Sequence, residues 1–119
     1  MNKVNPKQVI QIYNMLRALG LNTTLKGTKL INTAIQIVVK SDNEYIVLKD
    51  VYKIISKNHY KSTPKQIENF IAYALSSRIE EKSKQNFERI FGFEYDEYYF
   101  TNKTIIEEIV RIIKIESVS

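Results

Sequence analysis

Apolar residues recur along this chain at three- and four-residue spacing, which predicts helices almost throughout. The first covers about residues 6–19, with Asn5 as its N-cap, Pro6 at the first helical position and Gly20 just past its end. Val9, Ile10, Tyr13, Leu16 and Leu19 make its inward stripe. A polar link over 21–27 leads to a second helix over about 28–40, where Leu30, Ile31, Ala34, Ile35 and Val38 supply the core face. A turn follows at 41–44. Residues 45–48 favour a strand by composition, but no partner strand is in sight, so they read as the lead-in to a third helix over about 48–57. A fourth covers about 64–81 and a fifth about 83–91, ending at Gly92. After an acidic, aromatic loop over 93–101, a sixth covers about 102–116. Its Ile105, Ile106, Ile109, Val110, Ile112, Ile113 and Ile115 give wider apolar coverage than one-sided packing needs, so this helix is either deeply buried or shared with a partner.

The fourth helix is the most informative element. Thr63 is a good N-cap, Pro64 fits the first helical position, and Gln66 stands three residues after the cap, as a capping box requires. Ile67, Phe70, Ile71, Ala74, Leu75 and Ile79 fall on one face. Ser62, Lys65, Gln66, Asn69, Tyr73 and Ser76 fall on the other. A helix anchored on one side and carrying amide, hydroxyl and basic groups at its exposed N-terminal end suits the major groove of DNA. Lys65, Gln66, Asn69 and Tyr73 are the candidates to reach bases, while Lys57, His59, Lys61 and Ser62 are the candidates to reach phosphates beside it. Two of these have a second reading. The Gln66 amide is equally suited to capping Thr63, and Tyr73 to covering the edge of the helix.

Composition narrows the picture further. The 119 residues form one domain, 1–119, large enough to bury a core without staples. With 3 Gly and 2 Pro the chain has little turn material, which disfavours a many-stranded β fold. It has no cysteine, so disulfides and thiolate metal sites are excluded. No signal core or membrane-length apolar run is present, so the expected location is cytoplasmic, with no membrane partner. Charge is unevenly placed: residues 1–66 hold 11 Lys/Arg against 3 Asp/Glu, and residues 67–119 hold 7 against 10. One basic side offered to a polyanion fits that asymmetry. A lysine-rich composition alone would produce it too, so it adds little weight.

Catalytic chemistry is not indicated. The chain has one histidine, His59, in the polar turn between the third and fourth helices, where it is either a solvated turn residue or a phosphate contact. The spacing of ligands that a metal site needs is absent, and no cofactor or small-molecule substrate is expected. Glu80-Glu81, Glu107-Glu108 and the Glu94-Asp96-Glu97 run read as solvated faces, since adjacent residues on a helix do not face one another. Lys26-Gly27-Thr28 has the look of a phosphate loop but lacks the upstream glycine and strand. Phe91, Phe93, Tyr95, Tyr98, Tyr99 and Phe100 have the rings to stack bases, but the acids between them would repel phosphates. They read as rings that lock the loop onto the core.

Gly20-Leu21, Leu25-Lys26-Gly27 leading to Ala34-Ile35, Val51-Tyr52, Ser62-Thr63, Ile67-Glu68 with Ile71, and Phe91-Gly92-Phe93 occur in an order and spacing that resembles the C-terminal effector domain of the stage 0 sporulation protein A family. Those response regulators commit endospore-forming bacteria to sporulation. The resemblance covers roughly residues 8–116. It implies an all-α, six-helix domain of the winged-helix-like, response-regulator effector type, with a helix-turn-helix at about 48–81. It also implies binding to short boxes in double-stranded DNA, commonly as tandem dimers with the last helix near the subunit contact. Ile106, Val110 and Ile113 are the corresponding dimer-contact candidates.

The sequence departs from the family in two respects. Members carry an N-terminal phospho-acceptor receiver, whereas this chain opens almost directly at the effector region, so a stand-alone domain is expected. The family's recognition helix has arginines where this chain has Gln66, Asn69 and Ala72, and its glutamate is kept as Glu68. Arginine pairs bidentately with guanine, whereas Gln and Asn suit adenine, so the preferred site should shift towards A·T pairs. Two functions follow as expectations. One is a sequence-specific DNA-binding transcriptional regulator; the other is an interaction module that dimerises with a full-length sporulation regulator and modulates it, with weak or no DNA binding.

Overall fold

The computed structural model describes residues 5–41, 47–58 and 61–118, with side chains through residue 116. The described residues form six α-helices: α1 (Pro6–Ala18), α2 (Lys26–Lys40), α3 (Leu48–Asn58), α4 (Pro64–Ser76), α5 (Glu80–Phe91) and α6 (Asn102–Val118). A single 3-10 turn, Glu97–Tyr99, interrupts the link between α5 and α6. No strand occurs among the described residues, and the fold is the expected all-helical one. Tyr45, Ile46 and the turn residues 42–44 lie outside the described residues.

α2 is the central element and packs most extensively on α4 and α6. Leu30, Ile31, Ala34 and Ile35 are wholly buried along it, as their spacing predicts. Its start lies very close to α4. A Cβ built on Gly27 would stand 2.0 Å from the Phe70 carbonyl oxygen, so only glycine allows this approach. The helix also begins two residues earlier than its apolar period suggests, at Lys26.

α1 caps as expected, with the Asn5 side chain accepting from the Lys7 N–H at 3.0 Å. Its buried stripe does not match the expected one. Ile12, Leu16 and Leu19 face inward, whereas Ile10 is 59% exposed and Val9 and Tyr13 are only half-buried. The helix is rotated so that Ile12 rather than Ile10 meets the core, and Asn32 of α2 fixes it by donating to the Val9 carbonyl at 3.1 Å.

The expected fourth helix to residue 81 divides into two. α4 stops at Ser76 and α5 starts at Glu80. Tertiary partners cause the break. The Ile79 N–H donates to the Gly20 carbonyl at 2.9 Å, and Gly20 has φ +95°. A Cβ there would strike the Ile79 carbonyl oxygen at 2.3 Å. Arg78 is drawn the same way: it donates to Ser83 Oγ and Tyr95 Oη, both at 3.0 Å, and lies 3.7 Å over the Phe100 ring. Ile79 is consequently exposed instead of extending the inward face.

Candidate nucleic-acid interface

α4 is fixed at its start by the predicted box. Thr63 Oγ1 accepts from the Gln66 N–H at 3.1 Å, and Gln66 Oε1 accepts from the Thr63 N–H at 2.9 Å. Such a cap contributes about 1 kcal/mol of helix stability. Ile67, Ile71, Ala74 and Leu75 anchor the inner face. Lys65, Gln66, Asn69, Ala72, Tyr73 and Ser76 are all exposed on the outer one. No other segment of the described chain covers this face.

The four candidate base-reading residues are therefore brought together on one exposed surface, but with different degrees of freedom. Asn69 sits near its centre, and its carboxamide has no hydrogen bond among the described residues. Tyr73 projects, 63% exposed. Lys65 Nζ lies 2.9 Å from Glu68 Oε1, with both side chains largely in solvent. Surface pairs of this kind contribute about 0–1 kcal/mol, so the lysine is readily released to a stronger anion. Gln66 is partly committed: its oxygen serves the cap, leaving the amide N–H groups outward. Reading adenine bidentately needs both the oxygen and the nitrogen, so the Gln66 oxygen would have to accept from adenine N6 beside the Thr63 N–H or leave the cap.

Among the candidate phosphate contacts, Lys57 at the end of α3 and Lys61 in the turn are exposed. His59 lies outside the described residues. Ser62 needs correcting. It is 9% exposed; its Oγ accepts from Lys26 Nζ at 3.4 Å, and its carbonyl accepts from Ser56 Oγ. Ser62 braces the turn from inside and presents nothing to a ligand.

Three further lysines flank α4. Lys26, at the start of α2, lies 4.7 Å over the Phe70 ring on one side. On the other side an open groove of about 810 Å3 runs between α3, α4 and the start of α6, and Lys49 and Lys103 line it together with Lys65 and Asn69. Asn102 holds that side together, its Nδ2 donating to Tyr52 Oη at 3.1 Å and to the Glu68 carbonyl at 3.0 Å. Burial raises the Tyr52 phenol above its ordinary value; the Asn102 hydrogen bond opposes the rise and the Glu68 charge adds to it. Nothing in the sequence links Lys26, Lys49 and Lys103, which are far apart in the chain and meet only through α4.

The dimer-contact candidates are a second correction. Ile106 (1%), Val110 (7%) and Ile113 (1%) are buried with Ile105 and Ile109 in the core of this chain. Because α6 packs on both α2 and α4, its broad apolar coverage is consumed internally. Ile115 alone among its isoleucines is mostly exposed.

Among the described residues no cluster of His, Asp or Glu is placed to hold a metal ion. No helix among the described residues is long and apolar enough to cross a membrane. Against known proteins, residues 12–113 match the family described as sporulation initiation factor Spo0A C terminal. No curated protein and no solved structure matched the chain.

Proposed function

The chain belongs to the family of the sporulation initiation factor Spo0A C-terminal domain, sporulation-related DNA-binding effector domains, and from that premise we propose that it is a sequence-specific transcriptional regulator that reads double-stranded DNA through α4. The observation that carries this reading is the outer face of α4: exposed, free of carboxylates apart from the paired Glu68, and centred on an amide with no internal partner. An α-helix fits the roughly 12 Å width of the major groove. Seated there, Asn69 is suited to pair bidentately with adenine N6 and N7. Tyr73 and the Gln66 amide N–H groups would flank that contact. Lys57 and Lys61 would neutralise phosphates at the N-terminal end of the helix, fixing register without reading sequence.

The interaction-module reading draws on the missing arginines and the acidic C-terminal half, but the route it gives for pairing, the last helix, has Ile106, Val110 and Ile113 turned into the core. A homodimer, or a heterodimer with a full-length sporulation regulator, would have to form on other surfaces.

Selection from a pool of random duplexes tests the proposal. The expected result is an enriched motif containing adenine at the Asn69 position, with affinity falling as salt rises by about 0.9 log units per log unit for each phosphate contacted. Failure to enrich any motif would sink the proposal.

A further inference from the structure

The groove beside α4 has a composition that the reading of α4 does not use. Its walls come from three helices: Leu48, Lys49 and Tyr52 of α3, the Lys65–Asn69–Ala72 flank of α4, and Asn102 and Lys103 of α6. Lys49 has no ion-pair partner among the described residues. The ammonium of Lys65 is paired with Glu68 at 2.9 Å and that of Lys103 with Glu107 at 3.7 Å, all four side chains being well exposed. The floor between the lysines is apolar, from Leu48, Pro64 and Ala72. An occupant matched to this groove carries regularly spaced negative charge and apolar faces between the charges.

Geometry adds a direction. A helix seated in the major groove fills it, since its diameter with side chains is about 10–12 Å, and so has a sugar-phosphate strand on each side. One flank of α4 carries Lys26 against Phe70, and the other opens into the groove. The groove shares Lys65 and Asn69 with the reading face, so a strand bordering the bases at Asn69 runs directly into it. The acid within it, Glu68, is paired with Lys65 at 2.9 Å and is outnumbered by Lys49, Lys65 and Lys103 in the same lining.

We propose that this groove seats the sugar-phosphate backbone of one DNA strand, with Lys49 and Lys103 as the phosphate contacts and the apolar floor against deoxyribose. The assignment rests on α4 reading the major groove and adds a second, sequence-independent anchor on the side of the helix away from Lys26. The Asn102 hydrogen bonds to Tyr52 and Glu68 hold the start of α6, and with it Lys103, in register with α4.

The test compares the 119-residue chain with a Lys49→Gln, Lys103→Gln double variant on the enriched duplex and on random duplex across a salt series. A Lys7→Gln, Lys82→Gln pair, from α1 and α5, removes the same charge away from the groove. All four side chains are exposed, and matched thermal unfolding verifies that each protein is folded. Losing two phosphate contacts should make the log–log salt slope shallower by about 1.8 and weaken binding roughly 10- to 60-fold at 0.1 M salt. Both duplexes should weaken alike, the enriched motif should persist, and the control pair should change the slope little. A normal motif in the parent with an unaltered slope in the groove variant, or an equal loss in the control pair, overturns the groove assignment and leaves the α4 reading intact. A parent protein that shows no salt-dependent duplex binding overturns both.

Discussion

The outer face of α4 and the corner built around Phe87 are both rich in side chains that bind nucleic acids elsewhere, yet they differ in what those side chains are doing. Phe87 is wholly buried, and five rings surround it: Phe91 at 4.8 Å, Phe93 and Tyr99 at 5.4 Å, Tyr95 at 5.5 Å and Phe100 at 5.9 Å between centroids. Arg78 closes the cluster, stacked on Phe100 and donating to the Tyr95 hydroxyl. The outside of this corner is acidic, with Glu94, Asp96 and Glu97 exposed. On α4 the position is reversed. The Asn69 amide and the Tyr73 ring stand in solvent, and Lys65 and Lys103 nearby are held only by weak surface pairs. Residue type therefore does not separate a binding face from a structural one. The separating property is whether a group's interactions are satisfied within the fold.

If that contrast is right, changes in the two regions should have separable effects. The largest is expected from Phe87→Ala, which empties the centre of the ring cluster and should cost about 3–5 kcal/mol in denaturant unfolding. The fraction that remains folded should still select the same DNA motif. Gly27→Ala acts on α4 from beneath, because its new methyl must displace the α4 backbone at Phe70. We expect a loss of about 1–3 kcal/mol from overpacking, together with weaker DNA binding, as a thermal melt and a titration on one sample would show. Asn69→Ala should be the mirror image of Phe87→Ala. Stability should stay within about 0.5 kcal/mol, while discrimination at a single base falls by about 1–3 kcal/mol, read from affinities for the four bases at that position.

The smallest effect expected is on alkaline stability. The Tyr52 phenol is raised by burial, so the folded state holds its proton more tightly than the unfolded chain does. Its contribution is present below the unfolded value of 10.0 and is lost as pH rises through the higher folded value. Tyr52→Phe should accordingly unfold less steeply above pH 10 than the parent, even if it starts less stable through loss of the Asn102 contact.

Much of this was readable from local chemistry. The Asn5 and Thr63 caps, Pro6 and Pro64 at helix starts, and the stop at Gly92 act within a few residues, and the structure keeps each of them. The outer face of α4 followed from period alone. Errors arose where partners distant in sequence decide the outcome. The α4–α5 break depends on Gly20, some sixty positions away, and on Arg78 reaching the ring cluster. The α1 stripe depends on how α2 and α5 rotate it. Apolar width in α6 has the same pattern whether a core or a second molecule covers it, and only the packing of α6 on α2 and α4 assigns Ile106, Val110 and Ile113 to the core. Helical period puts Ser62 on the polar face, but it precedes the Thr63 cap, and Lys26 and Ser56 hold it inside. The groove lysines left no trace in the sequence, since only folding brings Lys49 and Lys103 together.

Backbone amide shifts recorded while the isotopically labelled protein is titrated with its selected duplex test the central claim most directly. The account predicts perturbations concentrated at Lys65, Gln66, Asn69 and Tyr73 and at the flanking lysines, with Phe87, Phe91 and Tyr99 barely moved. Shifts centred on the aromatic corner, with α4 unchanged at saturating DNA, would contradict it.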